Sequence, residues 1–203
     1  MSSGATSRRI VLASNNPGKL AEFGQLLAPL AAEVVAQGAL GVGAAEEPFA
    51  TFIENALTKA RHAAAATGLP ALADDSGLCC RALGGAPGVR SARFAGEPAS
   101  DGDNNHELLR RLRDVADRAG HYTCVLVAVA GADDPEPLVA EGRWHGVIAT
   151  APSGRNGFGY DPLFRVEGGR TAGELEAAEK NRLSHRGIAA RALIELLRTR
   201  WRW

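Results

Sequence analysis

The chain has 203 residues, of which 45% are hydrophobic and 23% charged, and its 23 basic and 23 acidic side chains give a formal net charge of zero. This length and composition are typical of a globular protein with one sizeable domain. The even charge balance argues against a nucleic-acid partner, because proteins that bind nucleic acids usually carry a basic excess. No apolar run reaches the roughly 18 residues of a membrane span, so we expect no membrane partner either.

Cysteine usage and the N-terminal segment bear on the compartment. Cys79 and Cys80 are neighbours and would point to opposite faces of a strand, which disfavours a disulfide between them. Together with Cys124 they make three cysteines without a CxxC pair, so a zinc site is not expected. We predict reduced thiols in a cytoplasmic protein, with residues 1–9 a disordered lead-in and residues 10–203 a single domain.

Apolar runs and helix-start signals alternate in the first half of the chain. In chain order they predict a buried strand at residues 10–13, a helix capped by Asn16 with Pro17 as its first residue, a strand at residues 33–37, and a helix that the capping-box pair Thr51 and Glu54 opens and Gly68 ends. An acidic loop with Glu46 and Glu47 precedes this second helix.

In the second half of the chain the strand and helix signals follow a different order. They predict a short strand at residues 72–73 that enters an acidic turn, a helix capped by Ser100, strands at residues 122–130 and 138–148, and a last helix that begins at Ser184. The two late strands are expected to pair antiparallel. Because strands and helices do not alternate strictly, we expect an α/β fold with a long mixed sheet and flanking helices.

Residues 14–19 combine the features of an anion-binding helix start. A strand, a polar segment and a helix follow one another, which leaves backbone N–H groups at the positive end of the helix dipole. Lys19 stands in the first helical turn, where a cation is unfavourable, and a bound phosphate would explain its position. The spacing is not that of a Walker P-loop. An ordinary N-cap with a solvated lysine explains the segment equally well.

The acidic segment Asp74-Asp75-Ser76-Gly77 follows an apolar pair and is interpreted as a turn. Adjacent carboxylates repel each other unless a cation or hydrogen-bond donors neutralise them. Mg²⁺ prefers such oxygen ligands, and a carboxylate there can also accept a proton from an attacking water. The alternative is a common Asx-type turn. Glu46 and Glu47 by themselves indicate a solvated loop, but Glu46 is a reasonable second ligand if Asp75 binds a metal.

Basic residues crowd the predicted start of the last helix. If Ser184 caps this helix, His185 and Arg186 lie in its first turn, where cations are unfavourable. Contact with an electron-rich ligand would explain them, because arginine offers several fixed donors. A polar connection between two helices is the alternative.

The loop at residues 156–161 places Phe158 between glycines. Phe158 could lie flat against a base, and Asp161 could bond a ring edge. The alternative is a hairpin loop whose aromatic residue anchors in the core. The glycines do not follow the dinucleotide-binding pattern, so a Rossmann interpretation is rejected.

Taken together, these segments resemble the inosine triphosphate pyrophosphatase family. The shared motifs are Ser-Asn-Asn-Pro-Gly-Lys (14–19), Thr-Phe-Ile-Glu-Asn-Ala (51–56), Asp-Asp-Ser-Gly-Leu (74–78), Gly-Ala-Pro-Gly (85–88), Ser-Ala-Arg (91–93), Phe-Gly-Tyr-Asp-Pro (158–162), and Glu-Lys-Asn with Ser-His-Arg-Gly (179–187). They occur in the family's order over residues 10–197. The ordered set is far more specific than any one motif.

The resemblance implies a reaction in which water attacks the α-phosphorus of ITP, dITP or XTP and releases a monophosphate and pyrophosphate. It also implies Mg²⁺ as the cofactor, two lobes around a central cleft, and a homodimer. Asp75 matches the proton acceptor and a magnesium ligand, and Glu46 matches the other ligand. The positions that match substrate contacts are Ser14, Asn15, Asn16, Pro17, Gly18, Lys19, Ser76, Phe158, Gly159, Tyr160, Asp161, Lys180, His185 and Arg186.

Two other functions stay open at this point. One is a pyrophosphatase for modified pyrimidine nucleotides, as in septum-inhibitor-like proteins, and the purine-side motifs argue against it. The other is a nucleotide sensor without catalysis, which the intact acid pair argues against. A change of Asp75 to asparagine is expected to abolish turnover and to spare the fold.

Overall fold

A computed structural model describes residues 8–203. Six strands form one sheet in the order β2-β1-β3-β4-β5-β6. They are β1 (Arg9–Leu12), β2 (Glu33–Ala36), β3 (Ala71–Cys80), β4 (Ala119–Val129), β5 (Leu138–Ile148) and β6 (Phe164–Arg165). β1 pairs parallel with β2 and β3, whereas β5 pairs antiparallel with β6. The sheet is therefore mixed, which confirms the predicted α/β class.

The helices are α1 (Pro17–Leu26), α2 (Phe52–Thr67), α3 (Asp101–Arg111), α4 (Ala177–Leu183) and α5 (His185–Arg200). Their starts follow local capping chemistry. Asn16 Oδ1 accepts a hydrogen bond from the Lys19 backbone N–H at 3.0 Å, and Ser100 forms a reciprocal capping box with Asp103. The predicted starts at Asn16, Thr51, Ser100 and Ser184 are confirmed. The sequence analysis gave no bounds for α4, a seven-residue helix directly before Ser184.

The chain divides into two compact units. The first contains the described residues up to Asp75, Val125–Ala140 and the residues from Ala189 onward. Its core includes the alanine face of α2 packed with valines of β1 and β4. The second unit contains Ser76–Cys124 and Glu141–Ile188. Its core is rich in aromatic side chains, including Tyr122, Trp144 and Phe164.

The predicted acidic turn is wrong, because Asp74, Asp75, Ser76 and Gly77 lie inside the ten-residue strand β3. Adjacent acids are tolerated in this buried strand because a lysine lies against each carboxylate. Gly77 is required by packing and not by a turn: a Cβ there would lie 2.3 Å from the carbonyl oxygen of Gly88.

The remaining predictions on the organisation of the chain agree with the structure only in part. Residues 1–7 of the predicted lead-in lie outside the described residues, and Arg9 is already the first residue of β1. Cys79, Cys80 and Cys124 form no disulfide among the described residues. None of the described helices has the length and apolar character needed to cross a membrane.

Candidate active site

An ion-pair centre in the first unit surrounds the carboxylate of Asp75. Lys59 of α2 places its ammonium nitrogen 2.8 Å from Asp75 Oδ1 and 2.7 Å from Glu47 Oε1. Asp75 is only 5% exposed, and Lys59 is 9% exposed. The carboxylates of Glu47 and Asp75, which come from separate segments, therefore both contact the Lys59 ammonium.

Burial and charge act on Asp75 in opposite directions. Burial raises the pKa of the Asp75 carboxyl above its ordinary value of 3.8, and the neighbouring Lys59 ammonium counteracts this rise. The pKa of Lys59 is also raised, because its attraction to Asp75 and Glu47 outweighs the burial that lowers it. Lys59 thus stays charged, and Asp75 is a more basic carboxylate than an exposed aspartate.

Asn55 connects Asp75 to the acidic loop. This fully buried side chain donates to Asp75 Oδ2 at 3.4 Å and to the Phe49 carbonyl oxygen at 3.1 Å. Its own carbonyl oxygen accepts the Phe49 N–H at 3.0 Å. A buried amide that satisfies both its donor and its acceptor in this way fixes the end of the loop against α2.

The sequence interpretation missed Lys59, although a signal was present. Positions 56, 60, 63 and 64 of α2 are buried alanines, so Lys59 stands on the apolar face of the helix. A lysine in such a position is costly unless an opposite charge meets it. Asn55 belongs to the family motif at residues 51–56, but the sequence indicates no role for it.

The two acids of the loop have different surroundings. Glu47 contacts Lys59, whereas Glu46 is exposed and makes no hydrogen bond or ion pair with any residue in the described range 8–203. The structure therefore brings Glu47 to Asp75 and leaves Glu46, the predicted second metal ligand, at the surface.

Lys19 has a protein partner that the sequence did not reveal. Its ammonium lies 2.8 Å from Asp74 Oδ2, and the Asp74 side chain is fully buried. Ser14 and Asn16 organise the segment before α1 through bonds to backbone N–H groups, while Asn15 and Pro17 are exposed. Lys19 follows the half-buried Gly18 at the N-terminus of α1. Its ion pair with Asp74 sets the position of its ammonium.

A second group of predicted residues comes together in the second unit. Arg186, in the first turn of α5, donates from Nη2 to Ser76 Oγ at 2.7 Å. The Arg186 guanidinium carbon lies 5.1 Å from the centroid of the Phe158 ring, and the Lys180 ammonium lies 4.9 Å from it. Two cations therefore border one partly exposed aromatic ring, an arrangement suited to a π-system or an electron-rich ring edge.

The loop that carries Phe158 is fixed by Asp161. The Asp161 carboxylate accepts from the Phe158 N–H at 2.9 Å and from the Lys180 ammonium at 2.7 Å. Gly157 has a φ of +77°, and a Cβ there would lie 2.1 Å from Asp161 Oδ2. A glycine is therefore required at position 157, and Asp161 fixes the loop through these bonds.

Gly159 and Tyr160 have structural roles in the same loop. The Gly159 N–H donates to Asp101 of α3 at 2.7 Å, and the Tyr160 hydroxyl donates to the Ser91 carbonyl oxygen at 2.8 Å. Both residues therefore hold the loop in place. Their role in substrate binding stays a prediction.

His185 is buried under two aromatic rings that the sequence did not point to. It is 2% exposed and stacks on Tyr122, with ring centroids 4.6 Å apart and planes 8° from parallel. Trp144 lies parallel at 6.5 Å. The stack fixes the imidazole plane beside Arg186, so both predicted residues have defined orientations.

Comparison with known proteins identifies the family of the chain. Residues 10–196 match the model of the Ham1 family. A dITP/XTP pyrophosphatase of Ralstonia nicotianae is 62% identical over 195 residues, which cover 94% of this chain and 97% of that protein. The dITP/XTP pyrophosphatase of Nitrosomonas europaea is 57% identical over 190 residues, 93% of this chain and 94% of that protein.

Solved structures agree with the fold as well. A HAM1 protein from Coxiella burnetii superposes with a TM-score of 0.87 at 49% identity, covering 94% of this chain and 98% of that one. A nucleoside-triphosphatase, dITP/XTP pyrophosphatase, from Mycobacterium abscessus has a TM-score of 0.72 at 44% identity, covering 93% and 98%. With a family match over nearly its whole length, the chain belongs to the Ham1 family.

Proposed function

We propose that the protein hydrolyses ITP, dITP and XTP to the nucleoside monophosphate and pyrophosphate, and so removes these purine nucleotides from the pool. The observation that carries this proposal is the Asp75 carboxylate, held in a buried strand between Lys59 and Asn55. The names of the similar proteins, dITP/XTP pyrophosphatases, support the same reaction and substrate class.

In the proposed mechanism Asp75 accepts the proton of the water that attacks the α-phosphorus. A carboxylate with a raised pKa is a stronger base than an exposed aspartate, which suits this role. Lys19 and the N-terminus of α1 bind the triphosphate, since an ammonium and free N–H groups neutralise phosphate charge. Asn55 and Lys59 hold the Asp75 carboxylate in one orientation.

We further propose Mg²⁺ as the cofactor. Within residues 8–203 no cluster of three or more His, Cys, Asp or Glu side chains could hold a metal ion. Mg²⁺ fits the residues present, because it commonly binds one or two carboxylates and completes its shell with substrate phosphates and water. Glu47 and Asp75, whose carboxylates both contact Lys59, would hold it. When bound, it would neutralise phosphate charge.

On the purine side, the proposal assigns stacking to Phe158 and donors to Lys180, His185 and Arg186. A 6-oxo purine accepts a hydrogen bond where adenine carries an amino group. A site built to donate there rejects adenine, because its buried donor would stay unpaired. A cytoplasmic location and a homodimer complete the proposal. Three cysteines that form no disulfide among the described residues support the first, and the resemblance to the family supports the second.

The deciding experiment measures pyrophosphate release from ITP, dITP, XTP, GTP, ATP and modified pyrimidine triphosphates, with Mg²⁺ and with EDTA. We expect Mg²⁺-dependent release from the first three only. Equal turnover of all substrates would reject the specificity, and binding of ITP without hydrolysis would indicate a sensor. The Asp75→Asn variant should fold normally and lose turnover by a factor on the order of 10² to 10⁴. Full activity of this variant would remove Asp75 from the role of base.

A further inference from the structure

A surface pocket in the second unit is lined by basic side chains and uses no residue of the candidate active site. It has a volume of about 340 Å³ and lies at the C-terminal end of α3. The lining residues are His106, Leu109, Arg110, Arg113, Arg118 and Thr150. Three of the six are arginines, and this lining includes no carboxylate.

Arg118 gives the pocket a rigid positive wall. Its three guanidinium nitrogens donate to the backbone carbonyl oxygens of Leu112, Ile148 and Ala149 at 2.7 to 2.8 Å. Carbonyl oxygens fix the plane of the group but carry no formal charge, so the positive charge of Arg118 is not neutralised. Of the five N–H groups of an arginine, these three bonds leave two for a ligand.

Arg110 and Arg113 add positive charge to this wall. Arg110 pairs with Glu107, but the same carboxylate also binds Arg111, so one acid serves two guanidinium groups. Arg113 is exposed and makes no side-chain hydrogen bond or ion pair with any residue that the structure describes. Asp117, the acid nearest to Arg118 in sequence, is engaged by Arg81 in a two-point ion pair.

A helix C-terminus attracts cations, and this accounts for one or two basic residues at the end of α3. It does not account for Arg118, which lies seven residues after the helix, or for three arginines around one surface pocket. Three arginines in one lining give the pocket a positive potential, which attracts an anion. Planar guanidinium groups are also the side chains that best match phosphate oxygens.

We propose that this pocket binds a diphosphate group, either as free inorganic pyrophosphate or as the phosphate end of a nucleotide. A diphosphate offers several oxygens and at least two negative charges, which suit three arginines and the Thr150 hydroxyl. The site shares no residue with the proposed triphosphate site of Lys19, so a substitution can remove one site and keep the other.

The test is isothermal titration of the full-length protein with inorganic pyrophosphate at low salt and without divalent cations, where charge interactions are least screened. The Lys19→Ala variant removes the proposed active-site contribution. In that background we expect saturable binding of one equivalent, and we expect Arg113→Gln to weaken it at least about tenfold, as loss of a charge-assisted hydrogen bond would. Arg191→Gln, which alters an exposed arginine of α5, is the matched control and should bind as its parent does.

Two further arms separate the sources of the diphosphate. If ITP competes with pyrophosphate in the Lys19→Ala background, the pocket accepts nucleotide phosphates; if it does not, the ligand is free pyrophosphate. Either result supports the site. The proposal is overturned if a Lys19→Ala variant that circular dichroism shows to be folded loses all binding, if Arg113→Gln has no effect in either the wild type or this variant, or if sulfate displaces pyrophosphate at equal concentration, which would indicate a general anion patch. Because these measurements involve no turnover, failure of the proposed hydrolysis would leave their outcome unchanged.

Discussion

The ammonium of Lys59 lies 2.8 Å from the carboxylate of Asp75, and both side chains are at least nine-tenths buried. This pair connects the apolar face of α2 with the centre of β3. It explains how an acid can remain charged inside a buried strand. Burial disfavours the charged form of the Asp75 carboxyl, and the Lys59 ammonium stabilises that form. The properties of Asp75 as a base therefore depend on a residue of another element.

The first prediction concerns pH. Asp75 must be deprotonated to accept a proton, so kcat/KM should fall as the pH drops through the Asp75 pKa, which burial places above 3.8. Since Lys59 holds this pKa down, Lys59→Met should raise it and move the acid limb of the kcat/KM profile to higher pH. Lys180→Met, which breaks a buried ion pair in the second unit, should leave the limb in place. If the acid limb does not move in Lys59→Met, protonation of Asp75 does not determine the pH dependence of kcat/KM.

A second prediction uses two buried asparagines as a matched pair. Asn55 bonds Phe49 and Asp75, whereas Asn104 bonds the backbone of Ala92 and Ala95 and does not touch the site. Each change to alanine removes at least two hydrogen bonds of a buried amide, so each should lower the free energy of unfolding by about 2 kcal/mol. Urea denaturation measures this loss.

Only the Asn55→Ala variant should also lose kcat, by about tenfold or more, because Asp75 and the acidic loop lose their common anchor. Equal activity losses in the two variants would show that Asn55 acts through stability alone.

The third prediction decides between the two acids of the loop. Glu47 lies at the Lys59 ammonium and Glu46 lies at the surface. If Glu47 is the second ligand, Glu47→Gln should raise the Mg²⁺ concentration for half-maximal activity by about tenfold or more, and Glu46→Gln should not. Titration of each variant with Mg²⁺ in the absence of substrate gives an independent affinity. The opposite ranking would restore Glu46, the ligand expected from the sequence.

The fourth prediction concerns Lys19 and Asp74. Lys19→Met leaves a buried carboxylate without its ion pair, which should lower the free energy of unfolding by about 3 kcal/mol. The double variant Lys19→Met/Asp74→Asn should recover most of this loss. Its KM for ITP should stay as high as in the single variant, because the triphosphate still lacks the ammonium. Recovery of KM together with stability would show that Lys19 serves only Asp74.

The fifth prediction tests the aromatic platform. Stacking on a base contributes about 1 to 3 kcal/mol, so Phe158→Leu should weaken ITP binding by roughly 5- to 150-fold. Phe94 also lies under an arginine, but Arg111 is its partner and the pair is remote from the predicted purine-binding residues in sequence. Phe94→Leu should therefore leave ITP affinity unchanged. Equal affinities for Phe158→Leu and the wild type, measured by equilibrium titration without Mg²⁺, would remove the ring from base binding.

Local chemistry made several features predictable from the sequence. The helix starts at Asn16, Thr51 and Ser100 depend on bonds between residues three positions apart, so the sequence alone contains both partners. The family was recognisable for a related reason, since an ordered set of short motifs is itself a property of the sequence. The clustering of Arg186, Lys180 and Phe158 was anticipated from these motifs, although their distances were not.

The acidic segment shows what the tertiary structure decided. From the sequence, adjacent acids with serine and glycine indicate a turn, because nothing local neutralises them. In the folded chain Lys19 and Lys59, distant in sequence, reach Asp74 and Asp75 and allow a buried strand. The choice of Glu47 over Glu46 has the same origin, since only the path of the loop over α2 determines which carboxylate meets Lys59. The sequence contains the residue types of the ion-pair centre around Asp75, but their charges and partners depend on contacts between residues that are distant in sequence.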